Sequence, residues 1–295
     1  MNGIRRPVVV GIDGSARSLV AASWAADEAS RRNLELRLIH AYTIPLMGVP
    51  AYEIPQDLSE GLRLAGHEAL EGALQEITDA HPDLAVTIEL VNADPRPALV
   101  DASATAALTV VGTRGGGRIP EVLLGSVALH VAAHGRSPVA VISPKGGELT
   151  NSGSVLLGID GSGTSEAAVA YAFEEADRRA ATLDAVLAWD DAALRGFGGS
   201  EFGLLEDEEE YAVLAEQLAG WRDKFPDVPV RQLIVHGRPA DALLHYGALS
   251  PATRPQLVVV GSRGRGGLSG LLLGSTSQSL ICHAPWPVVV VRNSS

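Results

Sequence analysis

Apolar, β-branched runs alternate along this chain with stretches whose apolar residues recur at helical spacing. Pro7–Ile12 is a short buried-type strand. From Ser15 to Arg32, Leu19, Ala22, Ala26 and Ala29 fall on one helical face, with Ser15 placed to cap the helix. A strand over Leu34–Tyr42 follows, then a loop marked by Pro45, Pro50 and Pro55. The pattern then predicts a helix over Leu58–Ala80, a strand over Leu84–Val91, a short helix over Pro97–Thr105 and a strand over Ala107–Val111. A glycine-rich loop leads to a helix from Ser126 to His134 and a last strand at Val139–Ile142. Strands that alternate with helices imply βαβ units and a parallel sheet covered on both faces.

The alternation happens twice. VVVGIDGS at 8–15 recurs as VLLGIDGS at 155–162, and the glycine-rich segment at 109–126 recurs at 258–275. SPVAVIS at 137–143 recurs as WPVVVVR at 286–292, and ArgProAla at 96–98 recurs at 238–240. A repeating unit of about 145 residues is far longer than a solenoid repeat, so the chain reads as a tandem of whole domains. The polar stretch KGGELTNSGS reads as a linker, giving expected domains of 1–145 and 153–295. Each is expected to be Rossmann-like: α/β, doubly wound, with a five-stranded parallel sheet. Ligands of such sheets sit beyond the carboxyl ends of the strands, where strand order reverses.

Composition narrows the function classes. The net charge is −12 and both halves are acidic, which argues against a nucleic-acid binder. One cysteine, Cys282, supports neither an intrachain disulfide nor a cysteine-based zinc site. No apolar run approaches the ~18 residues of a membrane span, and the first apolar run ends in a turn. The expectation is a cytoplasmic protein with neither a nucleic-acid nor a membrane partner.

The repeated loop carries the chemistry. In the first copy Gly112, Gly115 and Gly125 are followed by Ser126; in the second Gly261, Gly264 and Gly274 are followed by Ser275. Both fit GxxG-x9-GS. Glycines let the backbone approach a ligand closely. The helix that follows offers unpaired N–H groups and a partial positive charge to an anion. Arg114, Arg118, Arg263 and Arg265 add local positive charge. No Gly-Lys-Ser/Thr is present, so this is not a Walker loop, and a dinucleotide fingerprint would instead follow the first strand. Asp13 and Asp160 close the first strand of each copy. Each fits either a turn or cap residue or a carboxylate facing ribose, adenine or a phosphate-bound metal.

These motifs together resemble the universal stress protein family, in its tandem, ATP-binding form common in actinobacteria. The resemblance spans nearly the whole chain, twice. It implies ATP, with Mg2+ as a companion ion, at one site per domain. It places the aspartate near adenosine and a small residue of the second strand, Ala41 or Ala188, at the adenine. The expected contacts are Asp13, Ala41, Gly112, Gly115, Gly125, Ser126 and Val127, with Asp160, Ala188, Gly261, Gly264, Gly274, Ser275 and Thr276. It further implies a homodimer, and two domains of one chain packed as a pseudo-dimer. The role expected is a stress or growth regulator; the alternatives are a slow ATPase and a nucleotide-free interaction scaffold.

The copies differ. Pro120 and Glu121 stand where the second loop has Ser269 and Gly270, so repulsion is expected to weaken the first site. His40 becomes Leu187, outside the glycine signature, and Thr276 stands at Val127's place. His130 and His134 share a helical face without an evident third metal ligand, and their expected role is charge near the helix end. The run EDEEE at 206–210 is expected to open a helix, and Cys282 to be a small buried thiol. No serine–histidine–acid set can be assembled from sequence alone.

Overall fold

A computed structural model describes residues 5–44, 56–113, 125–143, 152–161, 165–189, 208–249, 254–264 and 273–293. The chain divides into two compact units, Met1–Pro144 and Lys145–Ser295.

The first unit runs β1 (Val8–Gly11), α1 (Ala16–Arg32), β2 (Leu36–Tyr42), α2 (Gln56–Ala80), β3 (Val86–Asn92), α3 (Pro95–Ser103), β4 (Leu108–Gly112), α4 (Ser126–His134) and β5 (Val139–Ile142). Its strands are parallel, in the order β3-β2-β1-β4-β5. The second unit repeats this with β6 (Ser154–Ile159), α5 (Glu166–Arg178), β7 (Leu183–Trp189), α6 (Glu208–Lys224), β8 (Val230–His236), α7 (Pro239–Ala248), β9 (Pro255–Gly261), α8 (Ser275–His283) and β10 (Val288–Val291). Its order is β8-β7-β6-β9-β10, again parallel. The doubly wound, five-stranded sheet expected from the sequence is present in both units. Strand order reverses between β1 and β4, and between β6 and β9.

The central strands are apolar because helices cover both of their faces. Val8, Val9 and Val10 are fully buried, as are Val155, Leu156 and Leu157. Helix α1 lies close to its sheet because its buried face is mostly alanine: Ala21, Ala22, Ala25, Ala26 and Ala29. Ser15 caps it, its side chain accepting from the Ser18 amide at 3.2 Å. Left-handed Asn33 (φ 52°) ends it. Inside its last turns, Glu28 is fully buried and is held by Arg31 and Arg32. The second unit repeats this clasp with Glu175, Arg178 and Arg179.

Several element ends differ from the sequence reading. Leu34 donates to Ala29 O at 2.9 Å, closing α1, so β2 begins at Leu36. Leu84 donates to His81 O at 3.1 Å in a turn, so β3 begins at Val86. Asp94 accepts from the Arg96 amide at 2.9 Å and starts α3 at Pro95, two residues before the expected Pro97. Within the acidic run, α6 does begin, at Glu208.

Candidate functional site

The carboxyl edge of each sheet gathers residues that lie far apart in sequence. In the first unit Gly11 pairs with Ile39 and Val10 with Val110. Continuing that register sets Asp13 level with Ala41 and beside the end of β4 at Gly112. In the second unit Ile159 pairs with Leu187 and Gly158 with Val260, which sets Asp160 level with Ala188 and beside Gly261. Each group therefore lies at the reversal of strand order, where the crevice of such a sheet opens.

Both aspartates are built into a turn. Gly14 (φ 78°) and Gly161 (φ 72°) adopt the left-handed conformation that glycine tolerates best. Asp13 Oδ1 accepts from the Ser15 amide at 3.0 Å and from Ser15 Oγ at 2.6 Å. Asp160 Oδ1 accepts from Ser165 Oγ at 2.6 Å. Both aspartates thus serve as turn residues. The turn orients the carboxylate at the crevice rather than competing with that placement.

The glycine-rich loops close on themselves in the same way. Gly125 N–H donates to Thr113 O at 2.6 Å, and Gly274 N–H donates to Ser262 O at 2.7 Å. Each bond ties the start of the last helix to the end of the preceding strand. Gly125 and Gly274 then cap α4 and α8 with no side-chain hydrogen bond. Ser15 and Asp94 cap α1 and α3 with their side chains, whereas α5 and α7, like α4 and α8, have no side-chain cap bond. The first amides of α4 and α8 are therefore without a side-chain acceptor at the cap, the arrangement that suits an anion. Ser126 and Ser275 are exposed there, and Val127 and Thr276 half-buried.

In the second unit the loop and the aspartate meet. A Cβ on Gly264 would lie 2.8 Å from Asp160 Oδ2, and one on Gly274 would lie 3.5 Å from Arg263 Cα. Gly115, Arg114, Arg118, Pro120 and Glu121 lie outside the described residues, as do Arg265, Ser269 and Gly270.

The first unit also brings His40 to this edge. His40, on β2, stands between the level of Ile12 and Asp13 and the side of α2, where a Cβ on Gly66 would come within 2.8 Å of its ring. Its Nδ1 is buried without a hydrogen-bond partner. Burial holds the imidazole below its ordinary pKa, while the Ile12 backbone and the Asp13 charge pull it upward. The second unit has Leu187 at this position.

Other candidates fall elsewhere. The rings of His130 and His134 stack at 4.1 Å, and His134 Nδ1 lies 2.8 Å from His130 O. Burial, with the neighbouring His134 and Arg96, holds His130 below its ordinary pKa. Among the described residues no group of three or more His, Cys, Asp or Glu could hold a metal ion. Cys282 is half-buried rather than fully buried, because its helix position faces the partly exposed side of α8.

The structure does assemble one serine–histidine–acid row. Ser30 Oγ lies 3.4 Å from His81 Nδ1, and His81 Nε2 lies 3.3 Å from Asp27 Oδ1. Ser30 and His81 border a cleft of about 560 Å³. Both contacts are long for hydrogen bonds, and the cleft lies at the amino ends of β2 and β3, away from the crevice. The row ties the end of α1 to the end of α2. At the equivalent place in the second unit, Phe225 stacks against Phe173 and Trp221.

Comparison with known proteins agrees with this architecture. The model of the universal stress protein family matches residues 5–143 and again 152–292. A universal stress protein of Mycobacterium tuberculosis is 40% identical over 292 residues, covering 97% of both chains. One from Mycolicibacterium smegmatis is 38% identical over 291 residues, covering 97% of this chain and 96% of its own. The crystal structure of a universal stress protein from Archaeoglobus fulgidus superposes with a TM-score of 0.73 at 21% identity, over 98% of this chain and 97% of its own, a likeness of fold. No helix among the described residues is long and apolar enough to cross a membrane. Matched twice along its length, the chain belongs to the universal stress protein family.

Proposed function

We propose that each unit binds one ATP and that the protein acts as a stress-response or growth regulator rather than a fast catalyst. The observation that carries this reading is the paired loop closure. Twice, a glycine amide bonded back to the strand end leads into a helix whose glycine cap has no side-chain bond, at the edge that also bears an oriented aspartate. The uncapped amides suit phosphate oxygens, and the glycines admit the ligand to the backbone. Asp13 and Asp160 take the ribose or a phosphate-bound Mg2+. Ala41 and Ala188 leave room for adenine beside them. The contacts of the first site are Asp13, Ala41, Gly112, Gly115, Gly125, Ser126 and Val127. Those of the second are Asp160, Ala188, Gly261, Gly264, Gly274, Ser275 and Thr276. Family resemblance also supports a cytoplasmic setting and a homodimer.

The test is direct. The purified protein is denatured, and the released nucleotide is identified by chromatography and mass spectrometry. Adenine nucleotide approaching two per chain is expected, from the preparation or after added ATP. Absence of bound nucleotide in both conditions overturns the reading. Multiple turnovers of ATP to ADP overturn the regulatory part and make the protein an ATPase.

A further inference from the structure

Directly after its last strand the second unit carries Arg292 where the first carries Ser143. Val291 pairs with Gly261, and the Ser262 amide donates to Val291 O at 2.8 Å. Arg292 therefore follows β10 directly beside Ser262 and Arg263. Ser262 is also the residue whose carbonyl closes the glycine-rich loop onto Gly274, and Gly274 starts α8 without a side-chain cap. Two arginines and the start of α8 thus lie together at the carboxyl ends of β9 and β10.

Their state calls for an anion. Arg292 is half-buried and Arg263 exposed, but Nη1 of Arg292 is itself buried and no hydrogen-bond acceptor reaches it. Among the described residues neither Arg292 nor Arg263 has an acidic partner. Burial, and after it the charge of Arg263, holds the Arg292 guanidinium below its ordinary pKa. A buried donor without an acceptor is costly, and like charges add to that cost. An oxyanion seated between the two guanidinium groups removes both penalties and gives charge-assisted bonds in return. In the first unit the matching residue of SPVAVIS is Ser143, which is buried and uncharged.

We propose that Arg292 with Arg263 forms a polyphosphate-binding corner in the second unit, where the first has Ser143 in place of Arg292, and that it makes this unit favour the most highly charged adenine nucleotide. The proposal rests on the nucleotide reading above for its adenine part, but its phosphate part can be tested apart from it.

The experiment titrates the intact wild-type protein and Arg292→Ser with ATP, adenosine and inorganic tripolyphosphate by calorimetry. Serine is what the first unit carries here, and a melting curve confirms folding; Arg292→Gln is a second variant. Expected is roughly tenfold or greater weakening of one ATP site of two and of tripolyphosphate binding, with adenosine unchanged. Arg292→Lys should restore part of the loss. Equal binding of ATP and tripolyphosphate by wild type and both variants overturns the proposal. If wild type binds tripolyphosphate through Arg292 but neither ATP nor adenosine, the corner stands and the nucleotide reading falls. If wild type binds none of the three, both fall.

Discussion

Gly264 leaves no room for a side chain beside Asp160: a Cβ there would sit 2.8 Å from Oδ2, a carboxylate oxygen whose partner atom is held by Ser165 at 2.6 Å. Gly264→Val should push the aspartate off its seat or reopen the loop. We expect nucleotide stoichiometry to fall from two to one per chain, with the first site intact, when ATP binding is measured by equilibrium dialysis. An unchanged stoichiometry would remove this glycine from the site.

The two units build different ion pairs from one matching position of the second strand, Arg37 and Asp184. In the first, Arg37 on β2 pairs with Glu89 on β3. In the second, buried Asp184 on β7 accepts from Arg231 on β8 at 2.6 and 2.8 Å and from Tyr246 Oη on α7 at 3.1 Å. Arg231 has nearly half its side chain exposed and Asp184 none, so loss of the arginine strands the buried charge. Arg231→Ala should therefore cost about 3 kcal/mol of stability. Tyr246→Phe should cost about 1 kcal/mol. Urea unfolding of the two variants, followed by fluorescence, tests whether the order holds.

His40 makes the first unit sensitive to acid. Burial lowers its folded pKa below 6.5, whereas the unfolded chain keeps the ordinary value. Below that pH the unfolded state binds a proton that the folded state does not, so stability rises with pH through this window and is lost as pH falls from 6.5. His40→Leu, which copies Leu187, should flatten this part of the pH–stability curve. A variant whose melting temperature falls with acid as steeply as wild type would show that His40 is not its source.

Ala180 adopts φ 47° after α5, where the first unit has Asn33. A left-handed alanine costs roughly 1–2 kcal/mol, and glycine avoids most of that. Ala180→Gly should raise stability by about 1 kcal/mol, read as a higher melting temperature with ATP binding unchanged.

The sequence made the repeat, the strand–helix order and the glycine loops legible, because each is a pattern within a few neighbouring residues. Ala41 and Ala188 came from the family resemblance alone, and only the register of β1 with β2 and of β6 with β7 sets them level with Asp13 and Asp160. What stayed hidden depends on register between distant strands. His40 lies outside the glycine signature, and its approach to Asp13 depends on the pairing of β1 with β2. Asp184 and Arg231, and Arg292 and Arg263, are juxtaposed by pairing that no local periodicity encodes. The row of Ser30, His81 and Asp27 needs the packing of α1 against the end of α2. Where the element ends shifted, single hydrogen bonds such as Leu34 N to Ala29 O decided them.

The bonds from Gly125 to Thr113 and from Gly274 to Ser262 have an evolutionary consequence. They make each loop leave and re-enter the sheet at a single point. Changes inside such a cassette need not propagate into the strands below. One copy can then drift toward a different ligand or lose its ligand, while its sister keeps the ancestral task and both scaffolds remain folded. A duplicated chain of this construction can carry two loops with independent histories.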